Sequence, residues 1–174
     1  MRPADPLTVL AHAAKEGDNA AVAELVRRTQ PAVWQLCSAL GSRGEVDDLV
    51  QDTYLRALRA LPDYRGDAPV QAWLLSIARH VCADHVRRRQ RQRRLIDRVA
   101  ANTVSTASSP PDTIYELVRR LEPDRREAFV LTQMIGLSYD EAAEVAGCPI
   151  GTIRSRVSRA RADLFTLLRQ AEAI

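Results

Sequence analysis

The chain has 174 residues, a length that allows one domain or two small ones with a substantial buried core. Its 25 Arg and Lys residues nearly balance 22 acidic ones, and no apolar run approaches the length needed to cross a bilayer. The first residues lack the charged start, apolar middle and cleavage site of a signal peptide, so we expect a cytoplasmic protein with no membrane contact of its own.

Charge is distributed unevenly along the chain. Residues 79–98 hold eight arginines against two aspartates, and residues 150–174 hold five arginines against two acidic residues. The intervening residues 99–149 have four arginines and eight acidic residues. Two basic blocks separated by an acidic stretch indicate two places where a polyanion could bind.

Residues 7–39 predict one or two helices, with an interruption at Pro31. Apolar residues recur at helical spacing on both sides of Gly17, and Trp34 is expected to pack between helices. The sequence Gly-Ser-Arg-Gly at 41–44 is typical of a loop.

A strongly amphipathic helix is predicted after this loop. Acidic side chains in the first turn of a helix interact favourably with the positive end of the helix dipole, which accounts for Asp47 and Asp48 without any function. Gln51, Asp52 and an exposed Leu55 form a patch of acidic, amide and apolar side chains that a protein partner could bind. Periodicity alone does not decide between a purely structural role for this face and a partner surface. The stripe predicted to be buried consists of Val46, Leu49, Val50, Thr53, Tyr54, Ala57, Leu58 and Leu61.

Pro62 to Pro69 form a turn-rich loop that leads into one long helix. The apolar pattern of this helix fades after Val86 and is followed by an arginine run from Arg87 to Arg94. Such a run is usually a solvated helix end, but here it adjoins a well-formed helix, so we favour contact with phosphates. The predicted buried face is Val70, Trp73, Leu74, Ile77, Ala78 and Val81.

His80, Cys82 and His85 suggest a metal site, but at about 100° per residue they do not converge on one helix face. The two that could share a face are too few for a structural zinc site, so we expect neither a metal nor a cofactor. The remaining cysteines, Cys37 and Cys148, are far apart in sequence, and an odd, scattered set argues against a disulfide framework.

Residues 99–112 lose periodicity and consist largely of small polar residues and prolines, a composition typical of a linker. We therefore predict two small helical domains, at 1–95 and 113–174, joined by a linker at 96–112. The fold class is all-α. Beyond the linker we predict a short helix at 114–121 and a second one that begins near Pro123 and ends at Gly136, with core candidates Ala128, Phe129, Leu131 and Met134.

The stretch from Ser138 to Arg161 predicts two short helices joined by a tight turn. Ser138 and Glu141 have the spacing of a capping box, and Gly147 supplies the permissive backbone that a sharp reversal needs. Pro149 suits the first turn of the second helix. In that helix the apolar stripe is Ile150, Ile153 and Val157, and the residues facing away from it are Arg154, Ser155, Ser158, Arg159 and Arg161.

This pattern also fits a helical hairpin whose arginines are merely solvated. A small residue at Ala143, the turn glycine at Gly147 and a β-branched residue at Ile153 instead have the spacing of a helix-turn-helix. A short helix with one buried edge and an arginine-and-serine outer edge fits the major groove of DNA. We therefore predict that Pro149–Arg161 opens a recognition helix.

The order of these parts resembles the bacterial sigma factors of the extracytoplasmic-function (ECF) group, the minimal branch of the sigma-70 family that keeps regions two and four. The resemblance covers nearly the whole chain and rests on DDLVQDTYLRA, WLLSIARH followed by basic residues, the Ser/Pro-rich linker and LSYDEAAEVAGCPIGTIRSRVSRAR. It implies a factor that joins core RNA polymerase, directs it to promoters and helps melt the DNA.

The resemblance also implies roles for residues. The helix of the acidic patch would dock on the β′ coiled coil of the polymerase, with the second domain on the β flap. The polymerase contacts would be Asp48, Gln51, Asp52 and Leu55. The residues that recognise and melt the −10 element would be Tyr64, Arg65, Asp67, Arg79, His80, Arg87 and Arg88. At the −35 element Thr152 would bind a phosphate. The other DNA-binding residues there would be Arg154, Ser155, Ser158, Arg159 and Arg161.

Members of this group are commonly held by an anti-sigma factor, and the resemblance implies one here, which would supply any link to a membrane. Two alternatives remain. A stand-alone helix-turn-helix regulator would need a sensing or dimerising domain that residues 1–98 do not suggest. An enzyme using His80, Cys82, Asp84 and His85 has no phosphate loop, nucleophile elbow or metal-spaced cluster to support it.

Overall fold

A computed structural model describes residues 5–42, 44–97 and 114–172, and within these ranges all regular secondary structure is helical. The all-α prediction is therefore confirmed. The helices are α1 (Pro6–Lys15), α2 (Asn19–Leu40), α3 (Val46–Ala60), α4 (Val70–Asp97), α5 (Ile114–Arg119), α6 (Pro123–Phe129), α7 (Tyr139–Ala146) and α8 (Ile150–Glu172). A 3₁₀ turn (Leu61–Asp63) follows α3, and a π-helical turn (Val130–Met134) continues α6.

Helix α2 runs without interruption through Pro31, so the predicted break is wrong. A proline inside a helix removes one hydrogen bond and costs about 3 kcal/mol. Val33 and Leu36, on the same helix, are completely buried, and each side chain buried in this way contributes about 1.5–3 kcal/mol. Burial of the helix face therefore outweighs the local cost, and the proline is accommodated.

Half of the predicted stripe is buried within helix α3, through Leu49, Val50, Thr53 and Ala57, and Leu61 is buried in the turn that follows. Leu58 was expected to be buried, but 41% of its surface is exposed. It follows Leu55 by three residues, so helical geometry places both on the outward face. The apolar surface of this face is therefore wider than the sequence pattern indicated.

Helix α4 packs on both α2 and α3 and continues to Asp97, two residues into the predicted linker. Its fully buried residues include Val70, Leu75 and Val81. The rest of the predicted linker lies outside the described residues. The first basic block is therefore carried on a continuous helix that is anchored by its apolar first half.

The helix-turn-helix has the predicted local geometry. The Ser138 side chain accepts a hydrogen bond from the Glu141 backbone N–H, and the Glu141 carboxylate accepts one from the Ser138 N–H at 2.8 Å. Gly147 ends α7 at φ 65°, a left-handed conformation that glycine adopts without a steric penalty. Helix α8 begins at Ile150, so Pro149 directly precedes its first turn.

Replacing Ser138 with alanine is expected to lower the free energy of unfolding by about 1 kcal/mol, because it removes the side-chain acceptor of this capping box. Urea denaturation of the full chain measures the loss. Ser155→Ala is the matched control, since Ser155 is exposed within α8 and is expected to change stability by less than about 0.5 kcal/mol. Equal losses in the two variants would contradict a capping role.

The two halves of the chain pack against each other in this structure. Helices α2 and α4 of the first half contact α5, α6 and α7 of the second. One continuous apolar core includes Leu36 and Leu75 from the first half and Leu131 and Ile153 from the second. We refer to this packed arrangement as the closed form.

Candidate nucleic-acid and protein interfaces

The outward face of α8 is the first candidate nucleic-acid surface. Ile153, Val157 and Ala160 are buried and hold the helix against its neighbours. Thr152 lies half-buried in the first turn. The five side chains predicted to read DNA are exposed on the outward side, namely Arg154, Ser155, Ser158, Arg159 and Arg161. The helix is thus anchored on one edge and presents cationic and hydroxyl groups on the other.

Arg156, to which the sequence pattern assigned no role, anchors this helix. Its guanidinium pairs with Asp124 at the start of α6 and lies 3.5 Å from the Cys148 sulfur in the turn. Arg161 is exposed but also donates to the Gln133 side chain at 2.6 Å. The arginines of α8 therefore divide into anchoring and outward-facing ones, a division that depends on tertiary contacts.

The outward face of α3 is a candidate protein surface. Asp48 and Gln51 are exposed, as is Leu55, with 49% of its surface accessible. Asp52 is half-buried, and its carboxylate pairs with Arg56 at 3.0 Å. Exposed Leu58 adds a second apolar side chain that sequence reasoning placed in the core. Helical phase relative to Leu55 was the signal that could have identified it.

The loop after α3 encloses a hollow of about 310 Å³ lined by Asp63, Tyr64, Arg65, Asp67, Ala68 and Trp73. Arg65 and Asp67 are exposed at this hollow. Tyr64, expected to contact DNA directly, is only 4% exposed, because its ring packs 5.0 Å from the Trp73 ring. Its hydroxyl donates to the Ala68 carbonyl at 2.6 Å. Tyr64 therefore holds the loop in shape and forms a wall of the hollow.

The predicted strand-binding residues of α4 occupy different environments. His80 is exposed, with Nδ1 2.6 Å from the Ser76 carbonyl oxygen. Arg87 and Arg88 are exposed, and Arg87 pairs with Asp84 at 2.7 Å. Arg79 is half-buried and pairs with Glu127, a residue of α6 in the other half of the chain. Arg87 and Arg88 are thus both exposed on the same segment of α4, whereas the Arg79 guanidinium is paired with the Glu127 carboxylate.

Asp84 lies between the outward face of α3 and the basic side of α4 and forms ion pairs with both. Its carboxylate pairs with Arg87 on its own helix and with Arg56 of α3 at 3.0 Å. The hydrogen bonds from Arg87 and then Arg56 lower the pKa of Asp84. Asp84 is therefore charged at neutral pH and aligns both guanidinium groups.

The histidines and the cysteine of α4 lie in different environments. Cys82 is buried beside Cys37, whereas His80 is exposed, and His85 Nε2 lies 2.7 Å from Glu45 Oε2. The hydrogen bond with Cys37, followed by burial, raises the pKa of Cys82, so its thiol is protonated at neutral pH. Across the described ranges, no group of three His, Cys, Asp or Glu side chains could hold a metal ion.

The length and hydropathy of the helices were compared with those of a membrane-spanning helix. Among the helices that the structure describes, every one is too short or too polar to cross a bilayer.

Comparison with known proteins identifies the family. Residues 25–92 match Sigma-70 region 2, and residues 112–164 match Sigma-70, region 4. The chain therefore belongs to the sigma-70 family and, by the relatives it matches, to its ECF group. It is 40% identical to the ECF RNA polymerase sigma factor SigC of Mycobacterium tuberculosis, over 92% of this chain and 90% of that protein.

Two solved complexes contain similar chains. CnrH, in complex with the cytosolic domain of CnrY, has a TM-score of 0.74 and 34% identity, covering 95% of this chain and 99% of that chain. The sigma factor RpoE of Bartonella quintana, in complex with the anti-sigma factor NepR, has a TM-score of 0.71 and 32% identity, covering 84% and 95%. Both the fold and the sequence of this chain are thus those of ECF sigma factors.

Proposed function

We propose that this chain is an alternative transcription initiation factor that binds core RNA polymerase, recognises the −10 and −35 promoter elements and helps melt the DNA. The observation that carries the proposal is the presence of sigma-70 regions 2 and 4 in one chain, each with an exposed polar face. A stand-alone regulator would not require region 2. A sigma factor needs no catalytic residue of its own, because the polymerase performs the chemistry.

The face of α8 is the proposed reader of the −35 element. Arginine forms bidentate hydrogen bonds with guanine, and serine hydroxyls donate to or accept from either base of a pair. Thr152 lies at the helix start, where backbone N–H groups favour a phosphate. We assign base contacts to Arg154, Ser155, Ser158 and Arg159, and a backbone contact to Arg161.

The hollow beside Trp73 and the outward side of α4 are the proposed site for the −10 element. A base removed from the stack could enter the hollow and be recognised by the exposed Arg65 and Asp67. The backbone of the same strand would then follow the basic side of α4. The residues assigned to that backbone are Arg79, His80, Arg87 and Arg88.

The outward face of α3 is the proposed contact with the β′ coiled coil, while region 4 would bind the β flap. Its exposed leucines are flanked by carboxylates and an amide. Such a mixture suits a partner that has both an apolar strip and cationic side chains. We assign the contact to Asp48, Gln51, Asp52 and Leu55, and add Leu58.

Asp52→Arg is expected to weaken binding to core polymerase at least about 10-fold, because it replaces a rim carboxylate with a cation beside Arg56. Fluorescence anisotropy with purified core enzyme measures the affinity. Glu16→Arg makes the same charge change at the exposed end of α1, so it should leave affinity unchanged. Unchanged affinity in Asp52→Arg would remove this face from the polymerase interface.

A cytoplasmic anti-sigma factor, or the cytoplasmic part of a membrane-bound one, is the proposed inhibitor. Of the two similar chains, the sigma factor RpoE was solved in complex with the anti-sigma factor NepR, and CnrH in complex with the cytosolic domain of CnrY. A protein that binds core polymerase and DNA would itself work in the cytoplasm. A pull-down from the native host that yields only polymerase subunits under all growth conditions would contradict this part of the proposal.

Transcription by the purified chain with core RNA polymerase tests the proposed function. Genomic DNA serves as template, and the 5′ ends of the products are mapped. We expect RNA to start at distinct positions preceded by shared −35 and −10 sequences. Specific operator binding by the free chain, with no initiation in the presence of core enzyme, would instead favour a stand-alone regulator.

A further inference from the structure

Helix α1 packs against the loop that is proposed to hold the −10 base. It precedes residues 25–92, the stretch that matches Sigma-70 region 2, so the family match does not account for it. Ala11 of α1 is completely buried in a small core that is distinct from the larger core of the chain. The same small core contains Leu61 and Val70, at the two ends of the loop, and Tyr64 within it. The loop is therefore packed on α1.

Lys15, the last residue of α1, binds the backbone of the loop directly. Its ammonium donates a hydrogen bond to the Tyr64 carbonyl at 3.1 Å, although the two residues are 49 positions apart. A charged donor makes a stronger hydrogen bond than a neutral one. Lys15 is exposed, so the ammonium forms this contact without the large cost of burying a charge.

A hydrogen bond within the loop closes it. The Tyr64 hydroxyl donates to the Ala68 carbonyl at 2.6 Å. Gly66, midway between them, has a φ angle of 82°, a conformation that glycine adopts without a steric penalty. The turn also lies close to α1, because a Cβ atom at Gly66 would be 3.5 Å from Nε2 of His12. The loop is therefore a tight turn in contact with α1.

These contacts place a fixed point on each side of the two proposed base readers. Arg65 follows the carbonyl that Lys15 holds, and Asp67 precedes Ala68, whose carbonyl is held by Tyr64. The peptide unit is planar, so fixing the Tyr64 carbonyl also fixes the backbone nitrogen of Arg65. Recognition needs donors and acceptors to be held within about 0.5 Å of their working positions. Base discrimination by this loop should therefore depend on its attachment to α1.

We propose that Lys15 is a positioning residue for the −10 element, which ties the loop to α1 so that Arg65 and Asp67 are presented to the base in one geometry. Lys15 acts through the Tyr64 carbonyl and does not itself contact the base. Its loss should reduce base preference at one −10 position and leave the affinity for core polymerase unchanged. This role rests on the proposed function, since the loop reads a base only if the chain binds promoters.

Lys15→Met is the informative change. Methionine keeps a long, unbranched side chain of similar helix propensity but has no donor for the Tyr64 carbonyl. Lys15→Arg keeps a cationic donor and should restore the behaviour of wild type. Arg27→Met is the matched control, because it removes an exposed cation of α2 whose partner, Glu24, lies on the same helix. It should behave as wild type.

Holoenzyme binding to promoters randomised at each −10 position tests this role. In Lys15→Met the ratio of affinities for the preferred base over the other bases should fall roughly 2–10-fold at one position, the range expected for the loss of one hydrogen bond. Base preferences at the −35 element should not change. Lys15→Arg should keep the preference of wild type at every position.

Fluorescence of Trp73 in the free chain tests the attachment of the loop without DNA. The chain has two tryptophans, so Trp34→Phe leaves Trp73 as the only one and serves as the background for every variant. The Trp73 ring lies 5.0 Å from the Tyr64 ring, so a loosened loop should expose it to a small quencher. Acrylamide quenching should increase in Lys15→Met and stay unchanged in Lys15→Arg and Arg27→Met.

The outcomes separate this role from the proposed function. An unchanged −10 preference in Lys15→Met would overturn the positioning role, even if wild type directs transcription with core enzyme. An equal loss at every −10 and −35 position would also overturn it, because it would indicate a general effect on folding. If wild-type holoenzyme starts no RNA, the proposed function fails and base reading fails with it, whereas quenching still decides whether Lys15 holds the loop.

Discussion

Arg154→Ala is expected to cost about 1–3 kcal/mol, or roughly 5–150-fold in affinity, at one base pair of the −35 element. Arg154 is exposed in the second turn of α8, one residue after fully buried Ile153. The buried neighbour anchors this edge of the helix, so the proposed base contact would be made from a fixed backbone position. Its removal should erase the preference at that base pair and leave binding to unrelated DNA unchanged.

Holoenzyme binding to a promoter library randomised at each −35 position measures this effect. Arg169→Ala is the matched control, because Arg169 is another exposed arginine of α8, stacked over the Phe165 ring beyond the recognition segment. It should shift no base preference. A loss of equal size on every sequence would show that Arg154 contacts the backbone and does not read a base.

The double change Arg87→Gln/Arg88→Gln is expected to reduce the salt dependence of promoter binding. Each neutralised phosphate contributes about 0.7 to the slope of log K against log salt for a single strand and about 0.9 for duplex DNA. Loss of two contacts should therefore lower the slope magnitude by about 1.4–1.8. Arg89 is left intact, because it pairs with Glu45 at 3.0 Å and supports the fold.

Titrations of promoter DNA with holoenzyme at several salt concentrations give the slope. Arg27→Gln/Arg28→Gln provides the control. Arg27 pairs with Glu24 three residues earlier at 2.7 Å, the same spacing and distance as the pair between Arg87 and Asp84. An unchanged slope in the Arg87/Arg88 variant would show that these side chains do not neutralise phosphate.

The helix-turn-helix was predictable because its signals are local. The capping box spans four residues, Gly147 acts through its own φ angle, and the buried edge of α8 repeats with the helical period. Such features are set by neighbours within about two turns. Sequence alone therefore placed this element and its buried edge.

Prediction was weaker where local and tertiary preferences disagree. Pro31 favours a break, yet the helix continues because its other residues are buried. Turn signals place Tyr64 in a surface loop, but its ring packs against the Trp73 ring and is buried. Leu58 is apolar and lies at the edge of the stripe, which favours burial, but its helical phase relative to Leu55 places it on the outward face.

The sequence by itself determined the helical class, the order of the parts, the buried edge of α8 and the mixed face of α3, because periodicity and capping are short-range properties. Only the tertiary structure decided which arginines are exposed and which are paired with other groups of the same chain. Arg79 and Glu127 are 48 residues apart, and Arg126 and Ala39 are 87 apart, so no periodic pattern links them. Such pairs form when burial of apolar surface brings helices together, and that packing is a property of the whole chain.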